Sequence, residues 1–158
     1  MSKIPSAIAC LTLVLALGPA SANTRVSVTA PWVRATVPSQ KSTGAYMHLH
    51  SPVAARLVSV SSPVAAASQL HQMEMEGDLM KMRLVDGIEL PPGKGVNMSS
   101  GTYHIMLVGL KRQLKDGDTV PLTLVVQGMD KRREQITVKV PVKPINFVSP
   151  ASAPAMHP

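Results

Sequence analysis

The chain has 158 residues, 45% of them apolar, a formal net charge of +7 and one cysteine, Cys10. One Trp, two Tyr and one Phe give a basic protein few rings on which bases could stack, which argues against a nucleic-acid partner. A single cysteine leaves no disulfide framework.

Residues 1–22 read as a secretion leader: Lys3 is followed by an apolar run over 8–17 and by Ala20-Ser21-Ala22, a small-residue cleavage pattern. The run is too short to cross a bilayer, which takes about 20 apolar residues, so no membrane span is expected in the mature form. Cys10 lies inside this leader, and no cysteine follows the cleavage pattern where a lipid could attach. The mature domain, 23–143, is therefore expected to be exported and thiol-free, stable from its core alone.

Hydrophobicity then alternates with the period of strands over 25–29, 32–36, 45–50, 56–61, 68–76, 80–85, 95–98, 103–108, 120–127 and 135–140. Turn residues separate them: Asp86-Gly87, Pro91-Pro92-Gly93, Ser100-Gly101, Asp116-Gly117 and Gly128-Met129-Asp130. Lys131, Arg132 and Arg133 follow the last of these and read as a solvated hairpin end. No stretch offers a capped helical stripe. Short strands at this spacing predict an all-β fold, a two-sheet antiparallel sandwich. Residues 144–158 hold four prolines and no periodicity, and read as a flexible tail.

The methionines are unevenly spread. Met73, Met75, Met80 and Met82 crowd beside His71, and the pattern His-x-Met occurs twice, as His71-Gln72-Met73 and His104-Ile105-Met106. On a strand, residues i and i+2 share a face, so His104 would present its imidazole beside the Met106 thioether. Met80, Met82 and Leu84 share a face in the same way. Thioether with imidazole selects Cu(I) over zinc, calcium or magnesium. Zinc would want a further nitrogen, thiolate or carboxylate ligand; Glu74, Glu76 and Asp78 lack the spacing of a calcium loop and read as outward residues of an edge strand. Residue types alone leave two readings open, a metal centre or methionines as adaptable core filler.

The spacing itself is specific: ten residues separate His71 from Met82, and twenty-one separate Met82 from His104-x-Met106. With Ala30-Pro31-Trp32-Val33-Arg34-Ala35-Thr36, Tyr103-His104-Ile105-Met106-Leu107-Val108 and Leu114-Lys115-Asp116-Gly117-Asp118, this resembles the periplasmic copper chaperone family PCuA(C), over roughly 26–142. The resemblance implies a cupredoxin-like Greek-key β-sandwich and one Cu(I) held by His71, Met82, His104 and Met106. It implies a periplasmic carrier rather than an enzyme, one that delivers copper to the copper A centre of cytochrome c oxidase with a thiol-reducing assembly protein as partner. A copper buffer without a dedicated target would use the same residues. Blue-copper electron transfer would require a cysteine ligand, and the mature domain has none.

Four further features lie outside the four-ligand spacing. Met73 and Met75 read as packing on an edge strand, with an auxiliary ligand or transfer role as the alternative. His48 and His50 share a face and read as surface residues, though they could hold a second copper as Cu(II). Met156 and His157 in the tail offer a similar possibility. Trp32 reads as a core anchor.

Overall fold

The computed structural model describes residues 26–150, so the expected leader and the tail residues Met156 and His157 lie outside the described residues. Ten strands follow one another: β1 (Ser27–Arg34), β2 (Ser42–His50), β3 (Ala55–Ser61), β4 (Ala65–Glu76), β5 (Leu79–Val85), β6 (Ile88–Leu90), β7 (Gly95–Met98), β8 (Tyr103–Leu110), β9 (Thr119–Gly128) and β10 (Arg133–Lys143). No α-helix occurs among the described residues.

The strands are hydrogen-bonded in the order β5-β4-β8-β7-β2-β1-β10-β9-β3-β6, with β8 also paired to β2. Antiparallel pairing dominates, as expected. Two parallel junctions depart from it: Val33 and Arg34 of β1 pair with Val142 and Lys143 of β10, and Met98 of β7 pairs with Tyr103 of β8. The first junction joins β5-β4-β8-β7-β2-β1 to β10-β9-β3-β6, and both groups close on a single core. Alternation supplies that core. Val120, Leu122, Leu124 and Val126 of β9 are fully buried, as are Ala45 and Leu49 of β2 and Ile105 and Leu107 of β8.

Three local outcomes differ from expectation. The runs 25–29 and 32–36 are one strand, β1, whose pairing with β2 shifts between Thr29 and Trp32. Pro31 has no N–H to give a ladder and Ala30 turns to a φ of 46°, so the strand bulges there instead of ending. A three-residue strand, β6, follows Asp86-Gly87 and pairs with β3. Its Ile88 and Leu90 are 1% exposed, and Arg56 of β3 clamps it through Asp86 at 2.6 Å and Glu89 at 3.0 Å. Finally, the chain expected to be a tail begins by docking: Phe147 lies on Trp32 with ring centroids 4.9 Å apart, and Ser149 is buried.

β4 and β5 form a hairpin that turns at Gly77, where φ is 64°, a conformation that suits glycine. β5 is the outermost strand of its group. Glu74 and Glu76 are exposed as expected, but β4 is not itself an edge. The two carboxylates face across to β5, Glu74 to Arg83 and Glu76 to Lys81, each at 2.9 Å. At the other hairpin end, Lys131 and Arg132 are exposed, as a solvated turn requires.

The core of β9 sits far in the strand order from β4 and β5, so its contribution is separable from the surface they carry. Leu124→Ala should lower the unfolding free energy by about 2–5 kcal/mol with an unchanged urea m-value. A loss below about 1 kcal/mol would mean that β9 is not the packed centre described.

Candidate metal centre

Pairing between β4 and β8 sets the site. His71 stands directly opposite His104, and Gln69 opposite Met106; the imidazole centroids are 5.7 Å apart and the rings are inclined by 43°. Directly paired residues point to the same side of a sheet, as do residues two apart. Leu70 of β4 and Ile105 and Leu107 of β8 point into the core, so His71, His104 and Met106 all occupy the opposite, outer face. β5 extends that face, with Leu84 opposite His71 and Met82 opposite Met73. Met82 is therefore the diagonal neighbour of His71. The four residues singled out by spacing thus share one face over three adjacent strands. Met82 is half exposed, Met106 half-buried, and His104 only 3% exposed.

A histidine on the outer face is buried because a row of rings covers it. Trp32 of β1 pairs with Tyr46 of β2, centroids 4.4 Å apart, and Tyr46 lies 6.3 Å from His104. Phe147, Trp32, Tyr46, His104 and His71 form one line across the strands. The Arg34 guanidinium sits over both Trp32 and Tyr46, at 5.7 and 5.8 Å, a cation–π arrangement. Gly44, opposite Met106, makes this possible: a Cβ there would overlap the Tyr46 hydroxyl. Trp32 is buried, but in this outer row and not in the core cluster where the sequence placed it.

The electrostatics favour neutral imidazoles. Burial lowers the His71 pKa from its ordinary value. For His104 burial is again the main cause; the neighbouring His71 adds to it, and a backbone hydrogen bond at Thr102 opposes it. His71 Nε2 lies 3.0 Å from Gln69 Oε1. An amide oxygen only accepts, so this contact puts the proton on Nε2 and leaves the Nδ1 lone pair free. The Nδ1 atoms of both His71 and His104 are buried without a hydrogen-bond partner. Buried polar atoms are nearly always satisfied, and two such ring nitrogens on adjacent strands suit the binding of an electrophile. Among the described residues no group of three or more His, Cys, Asp and Glu is placed to hold a metal, so the nearby additional donors are thioethers.

The marginal residues resolve differently. His48 and His50 are half-buried on the face they share with Tyr46; His48 Nδ1 lies 3.4 Å from Thr29 Oγ1, and its ring lies over Gly95. Met73 is half-buried, whereas Met75 does not pack as expected. Both point to the outer face, and Met75 is 63% exposed. Sequence reasoning missed Tyr46, Gly44 and Gln69. Tyr46 shares the alternation of His48 and His50, but only cross-strand register reveals what it covers.

A family model described as "Putative lipoprotein LpqE-like" matches residues 26–142. In sequence the chain is similar to "Putative lipoprotein Lxx21020" of Leifsonia xyli subsp. xyli, 29% identical over 113 residues that span 67% of this chain and 68% of that protein. Among solved structures it is similar to Cu(I)-DR1885 from Deinococcus radiodurans, with 33% identity and a TM-score of 0.57 over 76% of this chain and 77% of that one. It is also similar to the copper-bound PCuAC domain of PmoF2, with 24% identity and a TM-score of 0.59 over 75% of this chain and 92% of that one. At that identity the second likeness is one of fold.

Two outcomes test the covered histidine pair. Because both pKa values are lowered, the unfolded chain binds more protons than the native one between the native values and about pH 6.5. Stability of the metal-free protein is therefore full above that window and declines as pH falls through it; a melting temperature that stays flat from about pH 7.5 to 5.5 would contradict this. Gly44→Ala should displace the Tyr46 ring, admit water to His104 and raise its NMR titration midpoint toward the ordinary value. An unmoved midpoint would show that the ring row does not shield it.

Proposed function

Since the chain belongs to the LpqE-like family, the family of PCuAC-type domains with their cupredoxin-like fold, we propose that it is an exported carrier of Cu(I). The ion is held by His71, Met82, His104 and Met106. One observation carries this: two imidazoles stand opposite each other with buried, unpartnered Nδ1 atoms, on a face that also carries both thioethers.

The chemistry fits cargo better than catalysis. Neutral imidazoles and thioethers bring no charge to the site, so a monovalent soft ion is preferred over divalent hard ones. Neither thioether has a proton to lose, and the lowered histidine pKa values mean that binding near neutral pH displaces few protons from the rings. His104 lies under the aromatic row, while Met82 is 50% exposed. The ion is thus anchored on one side and reachable on the other, the asymmetry a transfer protein needs.

The receiving site, in this reading, is the copper A centre of cytochrome c oxidase, with a thiol-reducing assembly protein keeping that centre ready. Buffering of excess copper is the alternative use of the same residues. The relatives' description as putative lipoproteins fits export to the cell envelope, here the periplasm. Among the described residues no helix is long and apolar enough to cross a membrane. A second copper, as Cu(II), has one candidate pair among the described residues, His48 and His50 on alternate positions of β2.

Two experiments decide between these statements. Anaerobic titration against a competing chelator should give one tight Cu(I) equivalent, weakened at least about tenfold (1.4 kcal/mol) by Met106→Leu and by His104→Ala. An X-ray absorption spectrum without sulfur scatterers would rule out the ligand set. Deleting the gene should reduce oxidase activity at low copper; copper sensitivity without that loss would assign the protein to buffering.

A further inference from the structure

The outer face of the β4–β5 hairpin carries three soft donors beyond the proposed centre, Met73, Met75 and Met80, arranged around its Met82. Register places Met75 directly opposite Met80 and Met73 directly opposite Met82. Both pairs lie on the face of His71, which follows Met73 at the next position on that face. Opposite residues have Cβ atoms about 4.5–5.5 Å apart, and residues two apart on a strand are separated by about 7 Å. Four thioethers on flexible side chains therefore occupy one small rectangle between the hairpin tip and the histidine pair.

Packing does not account for three of them. Methionine suits irregular interior gaps, yet Met75 is 63% exposed, Met80 47% and Met82 50%. No charged residue of the two strands shares their face: the strand charges lie on the other side, where Lys81 meets Glu76 and Arg83 meets Glu74, and Asp78 sits in the turn. Without a carboxylate or an additional imidazole on this surface, hard and borderline cations find no ligand. A monovalent soft cation finds up to four. At the tip Gly77 has open space around it, so the outermost pair is accessible.

We propose that Met73, Met75, Met80 and Met82 form an entry site that takes up Cu(I), or Ag(I) as its surrogate, and that Met82 hands the ion on to His71 and His104. Only the hand-over step rests on the proposed copper centre; binding on the ladder stands apart from it. Exchange moves from sulfur to sulfur without proton transfer, so occupancy of the outer pair is independent of pH.

Methionine-methyl NMR of the full chain, titrated with Ag(I) alone, tests this. The first equivalent should shift the Met82 and Met106 methyl signals, and the second those of Met75 and Met80. The Met75 and Met80 shifts should persist as the pH is lowered, because a thioether has no proton to gain in that range. Met75→Leu with Met80→Leu keeps apolar volume at exposed positions and should fold normally; it should lose one Ag(I) equivalent while Met106 still responds. If Met82 and Met106 move but Met75 and Met80 stay still through about three equivalents, there is no entry site. If Met75 and Met80 respond while Met106 does not, the ladder stands and the proposed four-residue centre fails.

Discussion

Opposition of His71 and His104 across the β4–β8 ladder governs the outer face of the molecule. A slip of one residue in either strand would send one imidazole to the core side and bring Leu70 or Ile105 outward, because side chains alternate strictly along a strand. The slip is prevented from behind. Leu70, Ile105 and Leu107 are buried in the common core, and each would lose that burial, at about 1.5–3 kcal/mol per large side chain. The apolar core thus fixes the alignment of polar groups that it never touches. Gln69, Met106 and Gly44 fall into line by the same registers.

The two flanks of the histidine pair are built from different materials. Toward β2 and β1 they are rings, stacked and capped by Arg34, with a glycine where the Tyr46 phenol needs room. Rings with two torsions hold their geometry well. Toward β5 they are thioethers on long, unbranched chains in contact with solvent. The ring side holds both imidazoles in line, while the thioether side stays open to solvent.

Much of this was legible in the chain. Period-two alternation located most strands, and the i, i+2 spacing put His104 beside Met106 before any pairing was known. What escaped has a common cause, since alternation says which residues share a strand face but not what that face meets. Trp32 is apolar and buried, so it read as core, yet its neighbours are Tyr46 and Phe147 on the outside. Met73 and Met75 read as filler because methionine usually is, and only their pairing with Met82 and Met80 shows that the four thioethers share the outer face. β6 was too short for any period to register, and its strand character comes from β3 beside it. Pro31 looked like a boundary, whereas a bulge at Ala30 carries β1 past it.

The openness of the hairpin has a chemical consequence. A thioether exposed to an oxidising compartment is converted to the sulfoxide, a polar and chiral group in place of a flexible apolar one. Met75, Met80 and Met82, about half exposed or more, meet oxidants before any buried methionine does, and the same exposure lets a sulfoxide reductase reach them. The soft-donor character of this face therefore lasts only while its sulfurs stay reduced.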